Sequence, residues 1–301
     1  MRLEGVILPV TTPFDGASGA VAPISFRDNL RAWLKADVHG FVIAGSTGEA
    51  PLLDEDEIVQ MVEWARDIVP PEKILIAGTG AESTRATVRA TRAVAQVGAD
   101  AVLVRAPSYY RGRMDPETLR QHYETVADSI PIPVILYNVP HLVPVDITPG
   151  LLAELGSHPN VAGIKDSTGD LKVLGAHLDA APEDCRVMVG AGSKLYAALE
   201  MGAAGGIVAV GCLAPQLAVE VYEKFRADDA GAAGAAQDRI SSPHTKIVRD
   251  LGVAGVKYGL DLLGYAGGAP RAPLRPLDEK ARAQVRAELR RARLLEGGAD
   301  G

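Results

Sequence analysis

Short apolar runs rich in valine and isoleucine recur along the chain, and each is bounded by glycine or proline. Runs that are apolar at consecutive positions are typical of strands buried on both faces of a parallel sheet. The eight runs are GVILPV from Gly5, GFVIAG from Gly40, KILIAG from Lys73, AVLVRAP from Ala101, PVILYNVP from Pro133, VAGIK from Val161, RVMVGAG from Arg186 and GGIVAVG from Gly205.

Segments with apolar residues at helical spacing separate these runs, and several begin at a Ser, Asp or Thr that can cap a helix. The helical segments are SFRDNLRAWLKAD, DEDEIVQMVEWARDIV, STRATVRATRAVAQVGA, PETLRQHYETVADSI and PGLLAELGSHP. Successive runs begin roughly 20 to 35 residues apart, which suits strand–helix units better than hairpins. Eight such units predict a (β/α)₈ TIM barrel of the α/β class. A doubly wound open sheet is the alternative, although no GxGxxG motif follows the first run.

The chain beyond the eighth run is predicted to be helical and Ala-rich, with a basic segment, RAELRRARLLEGG, that begins at Arg286. No linker of Gly, Ser or Pro is long enough to mark a second independent domain. We therefore expect residues 1–225 to form the barrel and residues 226–301 to form a C-terminal helical extension packed on it. The basic segment is interpreted as a solvated helix face.

The composition of the chain argues against nucleic-acid-binding and membrane-spanning proteins. The chain has 301 residues, is 47% hydrophobic and carries a formal net charge of −7. A negative balance argues against nucleic acid as a partner, because binding phosphates needs clustered Lys and Arg. No apolar run approaches the ~18 residues of a membrane span, and the apolar segment at the N-terminus is too short for a signal peptide. We expect a cytoplasmic protein without a membrane partner.

Metal and disulfide chemistry find no support in the sequence. Cys185 precedes one strand-like apolar run, Cys212 sits inside another, and neither belongs to a CxxC motif. Two cysteines exclude a disulfide framework and indicate buried thiols. Of the six histidines, only His141 stands at the carboxyl end of a predicted strand, and one histidine does not make a metal site. No metal or cofactor is predicted.

Reactive groups in such a barrel project from the carboxyl ends of its strands. Lys165 closes the sixth apolar run there, and a buried ammonium persists only if it is paired or if its lowered pKa serves chemistry. An amine desolvated in this way can attack a ketone and form an imine. Tyr137, at the neighbouring strand end, can transfer protons, and Ser46 or Thr47 and Tyr109 or Tyr110 are the hydroxyls available as relays. Within GSTGE, Gly48 allows the backbone to approach an anion such as a carboxylate.

GSTGE, YNVP, GIKDSTGD and GGIVAVG, in this order and spacing, resemble the dihydrodipicolinate synthase / N-acetylneuraminate lyase family of pyruvate-dependent aldolases. The resemblance extends over essentially the whole chain and implies a Schiff-base lyase that acts on pyruvate or another 2-oxo acid and an aldehyde. Most of these enzymes are tetramers built as dimers of dimers, so a homotetramer is expected. The implied roles are Lys165 as Schiff-base lysine, Tyr137 as proton shuttle, Ser46 as relay hydroxyl, Thr47 with Gly48 and Ser167 as substrate-binding residues, Ile207 as a backbone carbonyl near the substrate, and Tyr109 as the tyrosine contributed across a dimer interface.

One position departs from true dihydrodipicolinate synthases. Those enzymes carry an arginine two residues after NVP that holds the carboxylate of aspartate semialdehyde, and this chain has Leu142 there. PSYYRGRM, GIKDSTGD and GYAGGAPRAPL resemble the 4-hydroxy-2-oxoglutarate aldolase branch, which yields pyruvate and glyoxylate. This activity is expected. The alternatives are dihydrodipicolinate synthesis from pyruvate and aspartate semialdehyde, a sugar-acid aldolase or dehydratase, and a barrel that binds a 2-oxo acid without turning it over.

Overall fold

The computed structural model describes residues 3–295. Its eight strands close into a parallel barrel in the order β1 to β8. They are β1 (Gly5–Pro9), β2 (Gly40–Ile43), β3 (Ile74–Gly78), β4 (Ala101–Arg105), β5 (Val134–Asn138), β6 (Val161–Asp166), β7 (Arg186–Val189) and β8 (Gly205–Ile207). Each strand begins within or next to one predicted apolar run. Because β8 also pairs with β1, the sheet has no edge, and the TIM barrel is confirmed over the open sheet.

The helices alternate with the strands and then continue beyond the barrel. They are α1 (Pro23–Leu34), α2 (Glu55–Arg66), α3 (Thr84–Gln96), α4 (Pro116–Asp128), α5 (Pro149–Leu155), α6 (Leu171–Ala180), α7 (Leu195–Glu200), α8 (Val210–Leu213), α9 (Pro215–Arg226), α10 (Ala230–Pro243), α11 (Asp250–Leu262) and α12 (Glu279–Arg291). The cap predicted at Ser83 is observed, and Asp115 and Thr148 cap two further helices; each of the three accepts a backbone N–H three residues onward. The start of α1 has no side-chain cap, and Pro23 supplies the fixed φ instead.

The eighth strand is shorter than its apolar run suggests. It ends at Ile207, and the chain then turns into α8, so Cys212 lies in a short helix and not in a strand-like segment. Both cysteines are buried, as expected, and burial raises the pKa of the Cys185 thiol to about 11. These thiols are inert packing groups.

The C-terminal helices pack on the barrel through polar as well as apolar contacts. Trp33 of α1 donates its indole N–H to the Cys212 carbonyl at 3.0 Å and stacks on Tyr265 with ring centroids 5.4 Å apart. The extension is therefore present as predicted. Its boundary at residue 225 stays a prediction, and residues 296–301 lie outside the described residues.

The basic segment is only partly a solvated face. Val285 and Leu289 of α12 are buried, and Arg286 donates to the Tyr258 hydroxyl at 2.7 Å. None of the helices between residues 3 and 295 is long and apolar enough to cross a membrane.

Strand register sets the level of the site. Arg105 of β4 pairs with Tyr137 of β5, which pairs with Lys165 of β6. Paired residues of neighbouring parallel strands point to the same face of a sheet. These three side chains therefore stand at one level at the carboxyl end of the barrel, whereas Asp166, the next residue of β6, points to the opposite face.

Candidate active site

Lys165, Tyr137 and Ser46 come together at the carboxyl end of the barrel. The Lys165 ammonium lies 4.3 Å from the centre of the Tyr137 ring. The Ser46 hydroxyl lies 3.4 Å from the Tyr137 hydroxyl. Lys165 and Tyr137 are only 4% and 8% exposed, so the amine and the phenol meet where little water reaches them.

The environment of Tyr137 alters the acidity of its phenol. Burial by itself would raise the pKa of Tyr137. The positive charge of Lys165, together with hydrogen bonds from Ser46, Ser167 and Lys165, outweighs this effect and holds the pKa below its ordinary value. A phenol whose pKa is lowered towards neutrality gives up and regains a proton more readily.

The GSTGE turn is fixed by its own backbone and by the segment that follows β1. Gly48 and Glu49 donate their N–H groups to the carbonyls of Gly45 and Ser46 at 3.0 and 3.2 Å, and Glu49 adopts a left-handed conformation with φ of 62°. The Thr12 hydroxyl donates to the Gly48 carbonyl at 2.7 Å. A Cβ at position 48 would lie 2.9 Å from the Val10 carbonyl oxygen, so only glycine fits. This packing leaves Ser46 and Thr47 half-buried at the mouth of the barrel.

The turn after β6 is built to carry Ser167 beside Tyr137. Ser167 donates its N–H to the Asn138 carbonyl at 2.8 Å. Its hydroxyl occupies space that a Cβ at Gly190 would take, since that atom would lie only 1.9 Å away. Ile207 ends β8 at the same end of the barrel and is fully buried.

A second buried network lies directly behind Lys165. Asp166 faces His177 of α6, with 3.3 Å between Oδ2 and Nδ1, and it accepts the N–H and hydroxyl of Thr168 at 2.8 and 2.6 Å. Burial would raise the pKa of Asp166, but His177 and Thr168 hold it below its ordinary value. Sequence reasoning missed this network. The alternation of side chains along β6 was the available signal, because it turns Asp166 away from Lys165.

The two tyrosines after β4 project into solvent. Tyr109 and Tyr110 are 79% and 71% exposed, and their rings contact each other edge to face at 5.0 Å. Glu82 holds the loop, because its Oε2 accepts the N–H groups of Ser108 and Tyr109 at 2.9 and 2.8 Å. Sequence analysis did not identify Glu82 as the anchor of this loop.

A buried ion pair supports the GSTGE turn from behind. The Lys257 ammonium of α11 donates to Glu49 Oε1 at 2.7 Å and to the Thr12 carbonyl at 2.8 Å. The Arg271 N–H donates to Glu49 Oε2 at 2.7 Å. Burial lowers the pKa of Lys257, and Glu49 opposes that effect. Sequence analysis predicts only helix for this part of the chain, although Lys257, a lone lysine among apolar residues, was the signal of a buried partner.

The loop after β5 forms the open side of the mouth. Its Leu142 is 57% exposed. Partial burial and the nearby charge of Lys165 lower the pKa of His141, which favours the neutral imidazole. Residues 3–295 contain no group of three or more His, Cys, Asp or Glu side chains that could hold a metal ion.

Comparisons with known proteins agree over the whole length. The sequence profile of the Dihydrodipicolinate synthetase family matches residues 2–292. An uncharacterised DapA-like lyase of Halobacterium salinarum is 38% identical over 289 residues, which cover 96% of this chain and 94% of the relative. A 4-hydroxy-tetrahydrodipicolinate synthase of Methanopyrus kandleri is 32% identical over 299 residues, 99% of each chain. Among solved structures, the chain is similar to YagE, a prophage protein of the dihydrodipicolinic acid synthase family from E. coli K12, in complex with pyruvate. The TM-score is 0.92 at 29% sequence identity, and the match covers 98% of this chain and 100% of YagE.

Proposed function

Because the chain belongs to the dihydrodipicolinate synthetase family, it is a lyase that forms a lysine Schiff base with pyruvate, and we propose that Lys165 is that lysine. One observation carries this assignment: Lys165 is a buried ammonium that lies over the Tyr137 ring. Lys194, which also follows a barrel strand at this end, is exposed.

The proposed reaction is cleavage of 4-hydroxy-2-oxoglutarate to pyruvate and glyoxylate. Lys165 attacks the C2 carbonyl, and loss of water gives an iminium. Tyr137 takes the proton of the C4 hydroxyl, the C3–C4 bond breaks, and its electron pair enters the iminium to form an enamine while glyoxylate leaves. C3 is then protonated, and water releases pyruvate and the free amine.

The remaining site residues serve binding and relay in this proposal. Ser46 exchanges protons with Tyr137, to which it is hydrogen-bonded. Thr47 binds the carboxylate next to the iminium, and Gly48 allows the anion to approach the turn closely. Ser167 and the Ile207 carbonyl bind the rest of the 2-oxo acid.

Reductive trapping tests the lysine assignment. Borohydride added with pyruvate should add the mass of a reduced adduct, and peptide mapping should place it on Lys165. A label on Lys194 or on Lys257 would contradict the assignment. A barrel that binds 2-oxo acids without imine chemistry would gain no mass.

A turnover screen tests the branch. Leu142 offers no charge to the carboxylate of aspartate semialdehyde, so synthase activity should be weak, because a charge-assisted bidentate pair is missing. Dihydrodipicolinate synthesis remains the second candidate, since the Methanopyrus kandleri relative carries the synthase name. A kcat/KM for aspartate semialdehyde above that for 4-hydroxy-2-oxoglutarate would favour dihydrodipicolinate synthesis. Turnover of sugar acids alone would favour a sugar-acid aldolase or dehydratase.

We further propose that the site is completed in a dimer, within a homotetramer, by Tyr109 of a neighbouring copy. The exposure of this ring supports the proposal, because a large aromatic side chain 79% exposed on an anchored loop is well placed to enter a partner. Lys165→Ala and Tyr109→Phe subunits, each first measured alone, should regain roughly a quarter of wild-type activity after dissociation and random reassembly at equal amounts. Subunit exchange without recovery would assign the tyrosine to its own subunit or the role to Tyr110. The cytoplasmic location stays a prediction of the sequence.

A further inference from the structure

Arg105 stands at the level of the reacting groups. It ends β4, and its register partner is Tyr137, whose own partner is Lys165. A cleft of about 330 Å³ is lined by Ser46 and Tyr137 and continues to Arg105. Gly80 makes room for this side chain, since a Cβ there would lie 2.7 Å from Arg105 Cγ. The guanidinium therefore belongs to the space that opens from the Ser46–Tyr137 pair.

Only part of this guanidinium is used by the protein. Its Nη1 donates to Glu82 Oε1 at 2.8 Å and to the Ala106 carbonyl at 3.0 Å. Among the described residues, Nε and Nη2 of Arg105 have no protein acceptor. These two N–H groups form the fork that binds a carboxylate in two parallel hydrogen bonds.

Glu82 does not use up the charge of Arg105. Its carboxylate is shared among Arg105 and the backbone N–H groups of Ser108 and Tyr109. Burial would raise the pKa of Glu82, but these N–H donors and Arg105 together keep it below its ordinary value. Glu82 thus divides its two oxygens among three donors, and the guanidinium of Arg105, which lines the cleft, keeps N–H groups that no described residue satisfies.

We propose that Arg105 is a specificity residue that binds the terminal carboxylate of the substrate, on the aldehyde side of the bond that breaks. The substrate class is therefore a 2-oxo acid with a second carboxylate at its far end, and the aldehyde product is anionic. This inference rests on the proposed function. The GSTGE turn takes the carboxylate next to the iminium, Leu142 offers no charge, and Arg105 is next to Tyr137, which handles the C4 hydroxyl.

Imine trapping tests the assignment without requiring turnover. 2-Oxoglutarate and 2-oxopentanoate have the same chain length and differ only in the terminal carboxylate. The measured quantity is the concentration of 2-oxo acid at which borohydride reduction labels half of the enzyme. For the wild type, this concentration should be about 10-fold or more lower for 2-oxoglutarate than for 2-oxopentanoate. Arg105→Met should raise the concentration needed for 2-oxoglutarate by about 30- to 100-fold, while the values for 2-oxopentanoate and pyruvate stay within about 2-fold.

Matched variants separate binding from a structural role. Arg105→Lys keeps a charge and should recover part of the preference for 2-oxoglutarate. Arg89→Met is the control, because Arg89 lines the same cleft but is exposed and engaged by Glu55, and it should change none of the three values. Glu82→Gln keeps the guanidinium and should keep the preference.

The outcomes are distinguishable. If Arg105→Met and Glu82→Gln weaken all three ligands alike, Arg105 only anchors the Tyr109 loop and the assignment is overturned. If the wild-type enzyme traps pyruvate but does not prefer 2-oxoglutarate, the assignment alone fails. If pyruvate gives no adduct, the proposed function fails, and this inference fails too because it rests on that function.

Discussion

Two lysines are buried among residues 3–295, Lys165 in β6 of the barrel and Lys257 in α11 of the extension, and they differ in whether a carboxylate pairs with them. Lys257 is fully buried and donates to Glu49 Oε1 and to the Thr12 carbonyl, while its ammonium lies 4.4 Å from the centre of the Phe14 ring. Lys165 is 4% exposed and lies over the Tyr137 ring. Within residues 3–295, no carboxylate forms an ion pair with Lys165.

The difference separates a lysine engaged by the protein from one that we propose to be reactive. The Glu49 carboxylate and the Thr12 carbonyl both accept hydrogen bonds from the Lys257 ammonium, so that amine is held in place as a structural group. Lys165 is next to Asp166 in sequence, but strand alternation directs that carboxylate to His177. The fold therefore keeps a negative charge one residue away from the amine and still out of its reach.

The largest expected effect is on turnover in Lys165→Met. Loss of the amine should reduce kcat by about 10⁴-fold or more, because no other group can form the imine. The melting temperature should stay within a few degrees of wild type, since the substitution strands no charged partner. Thermal unfolding and turnover measured on the same preparation check both halves. A large loss of stability would mean that Lys165 has a structural partner after all.

Lys257→Met should mainly reduce stability, whereas Lys165→Met should mainly reduce turnover. Removal of this ammonium leaves Glu49 buried without its cation, which should lower the free energy of unfolding by about 3–5 kcal/mol. Urea unfolding measures the loss. Lys257→Met with Glu49→Leu removes both charges and should recover much of it. If the single variant is as stable as wild type, the ion pair contributes nothing and the contrast between the two lysines fails.

Tyr137→Phe sharpens the comparison on the reactive side. Loss of the hydroxyl should lower kcat by about 10²–10³-fold, because the C4 proton loses its acceptor. Lys165 should still form an adduct with pyruvate under borohydride, since the phenyl ring remains beneath the ammonium. Adduct mass and steady-state turnover are the two measurements. Equal loss of trapping and turnover would mean that the phenol also assists imine formation.

The smallest effect is expected in Asp166→Asn. The carboxylate has its pKa lowered in the folded protein, so its stabilisation is present above the ordinary Asp value of about 4 and is lost as the pH falls through the folded value. The variant should be about 1–3 kcal/mol less stable at neutral pH, from the loss of charged hydrogen bonds to His177 and Thr168. Urea unfolding across pH 3–7 should show the gap closing on the acid side. A gap that widens towards acid would contradict this sign.

The barrel and part of the site can be predicted from the sequence because the patterns that indicate them are local. Apolar runs locate strands, and the residues at the end of each run locate the mouth, which is why the sequence alone places Lys165 and Tyr137 there. The pairing of Lys257 with Glu49 joins residues 208 positions apart, and no periodicity in either segment specifies that contact. The Arg105–Glu82 contact likewise joins two neighbouring strand–helix units. The end of β8 was also missed, because an apolar run does not mark where a strand becomes a helix.

The ion pair behind the GSTGE turn has a consequence for how the chain is made on the ribosome. Glu49 is synthesised 208 residues before Lys257 and 222 residues before Arg271, the two residues that donate hydrogen bonds to its carboxylate. A nascent chain that has completed all eight strands still lacks the cation that its buried carboxylate requires. The mouth of the barrel is therefore fully formed only after α11 and Arg271 have been synthesised, and a product that ends after β8 would have its strands but an unneutralised charge beneath the turn that carries Ser46 and Thr47.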